Sequence, residues 1–328
     1  MFTKQQPFQK RDTDEEDWSV YFYNPSLAAT VLFSILYVIP FIYHICISYS
    51  AQKNTSNKYF RYSYSVPIII AALLEIIAYG QRAASTQSTQ DIGLFASSQT
   101  LIVLAPVLVC ASLYVLLGRI IRSTSTSQSR DRDRVARRRV TGTGREEETG
   151  EAEKRTEVKV GGILRVSYLP KIFITLDVAA MLTQGGGSAI ASAGEWKGTL
   201  EDIGTSVLIG GLALQVATFT VFLSVVVSFH QKILRHGEEE MRMVLRGIYI
   251  GGLFVMIRSI FRLIEFALGT ESYIMTNEWP LYVLEAVPML VAFMVLGWYH
   301  PSRWLLAKSA GVSKTQAWYE RYKGGFFT

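Results

Sequence analysis

Seven runs of apolar residues, each bounded by polar and charged stretches, divide the chain: residues 26–48, 64–82, 95–118, 168–191, 203–229, 245–268 and 279–300. Each comes near the roughly 20 residues that a helix needs to cross the hydrocarbon core of a bilayer. The pattern predicts an all-α membrane protein with seven transmembrane helices. The second and fourth runs are the least uniformly apolar. Pro40, Pro67, Pro106 and Pro288 fall inside runs. Membrane helices accept such prolines when neighbours or water take up the freed carbonyls, so kinks are expected there.

The polar stretches set an orientation. Residues 49–63 carry Lys53, Lys58 and Arg61 without an acid, and residues 119–167 are rich in arginine, with Arg137, Arg138 and Arg139 in a row. Lys232, Arg235 and Arg242 lie in 230–244, and Arg303, Lys308, Lys314, Arg321 and Lys323 follow the last run. The alternate loops hold only Arg82 and Lys197, beside Asp91, Glu195, Glu201, Asp202, Glu271 and Glu278. The positive-inside rule then places the N-terminus outside and the C-terminus in the cytosol. The expected layout is an extracellular polar segment 1–24, a seven-span domain 25–301 and a cytosolic tail 302–328. Residues 1–18 are polar and acidic. No signal peptide is read there, and the first span is expected to direct insertion. The charged, low-complexity stretch 123–160 is expected to be a disordered cytosolic linker, with a regulatory site or a contact with anionic lipid as alternatives. The run after Pro301 mixes Trp304, Leu305 and Trp318 with cations; an interfacial helix and a ragged tail both fit.

Composition supports this picture. Hydrophobic residues make up 49% of the chain, yet there are 33 Lys+Arg, gathered between the apolar runs. No basic patch interleaves with aromatics, so nucleic acid is not an expected partner. The two cysteines, Cys46 and Cys110, both lie in apolar runs and are read as buried thiols rather than a disulfide.

The chemistry lies in the polar residues inside the runs. At 100° per residue, Gly247, Gly251, Arg258, Arg262 and Glu265 share one stripe of the sixth run. A charge facing lipid at mid-bilayer costs roughly 2.5–3.5 kcal/mol on insertion scales, so the stripe must face other helices, water or a ligand. Gly247 and Gly251 form a G-x-x-x-G that allows close helix packing. Glu278, Tyr282, Glu285 and Met289 share a face of the seventh run, Asp177, Gln184 and Ser188 one of the fourth, and Glu75, Tyr79 and Arg82 one of the second. Gln99 lies near the outer end of the third run and Gln215 near the middle of the fifth. Counted by depth, Glu75, Gln99, Gln184, Arg262, Glu265 and Glu285 fall in the outer half, and Asp177, Gln215 and Arg258 near the middle. This convergence predicts one polar cavity for binding substrate or coupling protons. The alternative is that Arg258 and Arg262 merely bridge to carboxylates and lock the bundle. Gly185, Gly186 and Gly187 beside Gln184 fit a hinge and a close packing point equally.

Other functions lack their motifs. There is no P-loop, no H-E-x-x-H and no paired-cysteine zinc spacing, so neither a cofactor nor a metal is expected, and the chain is not read as an enzyme. His44, His230, His236 and His300 lie toward the cytosolic side, far from the acids. For His300 an interfacial cap or hydrogen bond is the expected role. A seven-helix receptor is the runner-up. Yet the third run ends LLGRIIRS without Asp-Arg-Tyr, the seventh ends GWYHP without Asn-Pro-x-x-Tyr, and no lysine lies in the seventh run for retinal.

Five motifs carry a resemblance: QTLIVLAPVLVCASLYVLLGRII, FITLDVAAMLTQGGG, GLALQVATFTVF, IRSIFRLIEFALG and EWPLYVLEAVPMLV with the later YHP. Together they resemble the fungal lipid-translocating exporter (Rta-like) family, over nearly the whole chain from Asn24 to Pro301. That family includes aminocholesterol-resistance proteins, a sphingoid long-chain-base exporter and a protoporphyrin transporter. The resemblance implies seven spans and a role in lipid movement or resistance to toxic amphiphiles. It marks Glu75, Gln99, Pro106, Asp177, Gln184, Gln215, Arg258, Arg262, Glu265, Glu278 and His300. Glu285 stands where the family commonly has aspartate, and the arginine-rich loop is longer than usual. The expected partners are the membrane and a lipid or amphipathic small molecule. Proton exchange at a carboxyl and passive movement both fit, and the oligomeric state stays open. The plasma membrane is the expected location, with the endoplasmic reticulum or vacuole as alternatives.

Asn54-Thr55-Ser56 is the only N-glycosylation acceptor pattern, because Pro25 disqualifies Asn24. The orientation puts Asn54 in the cytosol, so it is expected to carry no glycan. A glycosidase-sensitive mobility shift that disappears in Asn54→Gln would reverse the topology.

Overall fold

Long helices form wherever an apolar run supplies one face for the protein and another for lipid. A computed structural model describes residues 21, 23–54, 64–141, 159–160, 164–165, 168–193, 198–234, 239–269 and 272–301. The long helices are α1 (Leu27–Asn54), α2 (Ser65–Gln87), α3 (Ile92–Thr141), α4 (Leu169–Ala193), α5 (Gly198–Leu234) and α6 (Glu239–Ala267). A one-turn α7 (Tyr273–Thr276) precedes a π-helical turn, Leu281–Ala286, which runs straight into α8 (Val287–Trp298). Among the described residues the only strands are β1 (Lys159–Val160) and β2 (Leu164–Arg165), an antiparallel pair between α3 and α4.

Among the described residues, six helical segments are long and apolar enough to cross a membrane: Leu27–Ser50, Ser65–Gln87, Ile92–Ile121, Thr199–Gln231, Met241–Ala267 and Leu281–Trp298. At 25 residues α4 has the length. Lys171, Asp177, Gln184 and three glycines dilute its apolar content. The outward faces of the bundle are apolar: Leu32, Ile35, Ile39 and Ile42 on α1, Leu182 on α4, and Leu253 and Ile264 on α6 are all exposed. A soluble monomer does not carry apolar surface of that extent, whereas a bilayer covers it.

Helices adjacent in sequence pack side by side, and α1 closes the bundle against α8. The most enclosed of the candidate spans belongs to α3, which touches α2, α4, α5 and α6. Its Val109, Leu113 and Ile120 are fully buried in the core. Two close approaches hold the helices in register. A Cβ on Gly187 would come 2.6 Å from the Gly204 carbonyl oxygen, and one on Gly204 would come 2.6 Å from the Gly187 carbonyl oxygen, so α4 and α5 touch backbone to backbone. A Cβ on Gly247 would come 2.4 Å from Tyr299 Cβ, and one on Gly251 2.9 Å from Leu296, which seats α6 on α8.

Two expectations are corrected, and one pair of alternatives is decided. The stretch 123–160 is not disordered at its start: α3 continues as helix to Thr141, 50 residues in all. Arginine and alanine are good helix formers, and Asp131 and Asp133 stand three and four residues before Arg134 and Arg137, the spacing that supports a helix. Cys46 is exposed on the outer face of α1, and only Cys110 is buried. The glycine run in α4 is continuous helix, with Gly187 as its packing point and Gly185 and Gly186 exposed. Residues 1–20 and 302–328, including the expected interfacial run after Pro301, lie outside the described residues.

Gly204→Val forces α4 and α5 apart and is expected to cost about 1–3 kcal/mol, the usual range for overpacking. Gly186→Ala and Gly210→Ala have nothing within 4 Å of the added methyl and are expected to be neutral or slightly stabilising. Thermal unfolding of the purified protein in detergent checks both.

Candidate functional site

Pro106 starts the site. It has no N–H to return to the carbonyl four residues earlier, so the Ile102 oxygen is left without its helical donor. Arg258 fills the gap from α6: Nη2 donates to the Ile102 oxygen at 2.8 Å and to Glu285 Oε1 at 2.8 Å. One guanidinium therefore ties α3, α6 and the last span together. Glu285 sits in the π-helical turn that precedes Pro288, where the Val287 N–H bonds back five residues to the Tyr282 carbonyl. Tyr37 on α1 donates its hydroxyl to the Ala286 carbonyl at 2.8 Å and closes that turn from the other side.

One helical turn further along, Arg262 Nη1 donates to Glu265 Oε2 at 2.9 Å. It also lies 3.5 Å from Glu285 Oε2, an ionic contact too long to count as a hydrogen bond. The Arg262 guanidinium lies over the Phe266 ring, 5.0 Å from its centroid. Glu75 on α2 is fully buried, has an Oε2 without a hydrogen-bond partner, and is near enough to Arg258 and Glu285 to interact with both charges. Tyr79 and Tyr37 stack beside it at 5.5 Å. The two arginines balance Glu265 and Glu285. A charge on Glu75 is balanced only when its carboxyl takes up a proton or meets a cation.

The nine residues expected at one cavity do not meet in one place. Glu75, Arg258, Arg262, Glu265 and Glu285 form a single cluster. Asp177 on α4 belongs to a second group: its Oδ2 accepts from the Tyr114 hydroxyl at 2.6 Å, and its Oδ1 has no partner. Phe173 and Phe222 pack on Tyr114 at 5.2 and 4.6 Å. Cys110 lies within electrostatic range of both Asp177 and Arg258. Gln184 donates from Nε2 to Gln215 Oε1 at 3.0 Å, a tie between α4 and α5 close to their glycine contact. Gln99 is half-buried and makes no hydrogen bond with any of these residues. A count by depth along each helix suggests convergence. Depth alone does not say which neighbour a side chain meets.

The residue pattern puts Arg82, at the end of an apolar run, in an outer loop. The helix continues to Gln87 and encloses Arg82 completely. The available signal was its alignment with Glu75 and Tyr79. Tyr21, Tyr23 and Ser26 lie across the same end. Tyr21 donates to Ser85 Oγ at 2.9 Å and packs edge-on against Phe95, and the Ser26 N–H bonds both carboxyl oxygens of Glu278 at 3.1 and 2.9 Å. At the opposite end His300 pairs with Ser65 Oγ at 2.9 Å, and His44 with the Phe293 carbonyl at 2.9 Å.

A family model described as RTA1 like protein matches residues 68–137 and 161–308. The chain is similar to Protein RTM1 of Saccharomyces cerevisiae, 22% identical over 322 residues that cover 87% of this chain and 92% of that one. It is similar to the Probable lipid transporter atnI of Emericella nidulans, 25% identical over 303 residues covering 88% and 69%. It is also similar to the Sphingoid long-chain base transporter RSB1 of S. cerevisiae, 22% identical over 299 residues covering 78% and 68%. No solved structure matches it.

Arg258→Ala leaves the buried Ile102 carbonyl without a donor and Glu285 with only its long ionic contact to Arg262, and is expected to destabilise the protein by about 3–5 kcal/mol. Gln184→Ala, with Gln215 in the same bundle, is expected to cost only about 1 kcal/mol, the net value of one neutral hydrogen bond. Chemical unfolding in mixed micelles measures the difference.

Proposed function

The chain belongs to the RTA1 like protein family, and on that premise we propose that it moves amphipathic, lipid-like molecules across a membrane. The supporting observation is the buried cluster of Glu75, Arg258, Arg262, Glu265 and Glu285 within helices whose outer faces are apolar. Ionisable groups at membrane depth are costly, and their usual use is to meet a polar cargo or a proton. Transporters of lipids and of sphingoid bases among the relatives agree with such a cargo. In this reading α4 is the fourth of seven spans, residues 1–24 lie outside and the tail is cytosolic. Glu75, with an unbonded carboxyl oxygen beside Arg258 and Glu285, takes the amine of a cationic head group. Arg258 and Arg262 hold Glu285 and Glu265 in place until that amine arrives. Asp177, with its open Oδ1, is a second carboxyl on the route. The apolar tail stays between the helices and the surrounding lipid. The activity is translocation rather than catalysis.

Reconstituted protein is expected to move labelled sphingoid base across liposomes. Arg262→Ala and Glu265→Gln each remove a charge-assisted hydrogen bond of about 1.5–3 kcal/mol, so a loss of about tenfold or more in rate is expected. A panel of sphingoid base, sterol amine and porphyrin, with and without a pH gradient, identifies the cargo. Binding without flux would replace transport with a receptor role, and release of a cleaved product would replace it with an enzymatic one.

A further inference from the structure

The far end of α2 holds a buried positive charge with no counter-ion among the described residues. Arg82 is completely enclosed. Its Nη2 donates to the Tyr23 phenol, the Tyr21 ring centroid lies 5.5 Å from the guanidinium carbon, and the Tyr282 phenol is beside it. Nε and Nη1 have no hydrogen-bond partner. Among the described residues no carboxylate is within ion-pair distance of it. Glu278 is occupied by the Ser26 N–H and by the Tyr282 hydroxyl, which donates to it at 2.8 Å.

Neither neighbour removes the charge. Burial pushes the Tyr23 phenol up to about 12, against the pull of Arg82, so Tyr23 remains a neutral hydroxyl. A guanidinium does not give up its proton in a protein. Arg262 lies within electrostatic range of Arg82 and adds repulsion, and its own Nε is also without a partner. An unpaired charge taken into a dry bundle costs several kcal/mol unless an opposite charge joins it. Unused N–H donors from two enclosed guanidiniums, with a phenol beside them, are the chemistry that recognises anionic oxygens.

We propose that Arg82, together with Arg262 and Tyr23, forms a binding site for an anionic oxygen group, a phosphate or carboxylate, carried at the head of an amphiphile. The site is distinct from the amine-facing carboxyl Glu75, which lies two helical turns earlier on the same face of α2. It extends the translocation reading and rests on it for the amphiphile's apolar tail. Binding is measured apart from flux, so either finding can fail alone.

The test uses the full chain in detergent and follows thermal stability against four probes: tetradecyl phosphate, tetradecanoate, tetradecanol and inorganic phosphate. The phosphate and carboxylate amphiphiles are expected to raise the unfolding temperature in a saturable way, and tetradecanol of the same chain length to leave it unchanged. Arg82→Gln is expected to weaken apparent affinity for both anionic amphiphiles at least tenfold, and Tyr23→Phe by a smaller factor. Equal stabilisation by tetradecanol overturns the site, and so does wild-type affinity in Arg82→Gln. Inorganic phosphate binding as tightly as tetradecyl phosphate overturns the head-group assignment in favour of a free ion. If Arg82→Gln does not fold, the wild-type probe series and Tyr23→Phe decide the matter.

Discussion

A guanidinium standing in for a missing backbone hydrogen bond is the constraint on which the interior depends. Pro106 withholds an N–H from the Ile102 carbonyl, and no water from the bilayer is at hand to replace it. Arg258 does so from a different helix and spends another hydrogen of the same nitrogen on Glu285. The rotation of α6 is thereby fixed against α3, and the last span is fixed against both. Arg262 and Glu265 follow on the same stripe, and the aromatic pair Tyr37–Tyr79 lines the remaining side next to Glu75. Removing any one member leaves a neighbour buried without its partner, so the cluster persists as a unit.

Around this centre the bundle relies on close backbone contact rather than further charge. Hydrophobic attraction between helices is weak inside lipid, where tails are as apolar as side chains, and small residues let dispersion forces act at short range. Gly187 against Gly204 and Gly247 against Tyr299 are such contacts. The Gln184–Gln215 hydrogen bond sits beside the first of them and satisfies two amides that would otherwise be stranded. Polar groups at membrane depth therefore serve two purposes in this molecule. Those between α4 and α5 join helices, whereas those around Glu75 and Arg82 leave donors and acceptors unused.

Much of this was legible in the residue pattern, because lipid-facing and core-facing sides are both apolar and the runs mark the helices directly. The α6 stripe was legible for the opposite reason: no lipid-facing position tolerates two arginines. What the pattern missed depended on neighbours. Helical periodicity gives the face of Asp177 but not Tyr114 across from it, so one cavity was expected where three groups exist. Arg82 sits at the edge of an apolar run, where the pattern alone reads as loop, although its helix continues to Gln87. The charged continuation of α3 looked disordered by composition, since composition does not register its arginine–aspartate spacing. The role of Ile102 was in principle readable from Pro106 four residues later, yet nothing in the sequence named Arg258 as the donor.

The length of α3 has a mechanical consequence. Fifty residues make a rod of about 75 Å, more than twice the thickness of a hydrocarbon core of about 30 Å. From Pro106 to Thr141 the arm alone is about 52 Å long at about 1.5 Å per residue. Pivoted at that proline, a tilt of about 10° sweeps the distal end through about 9 Å, by the same rise per residue. The helix that accepts the Arg258 hydrogen bond thus has the length of a lever: any readjustment deep in the bundle that tilted it would be amplified at its distal end.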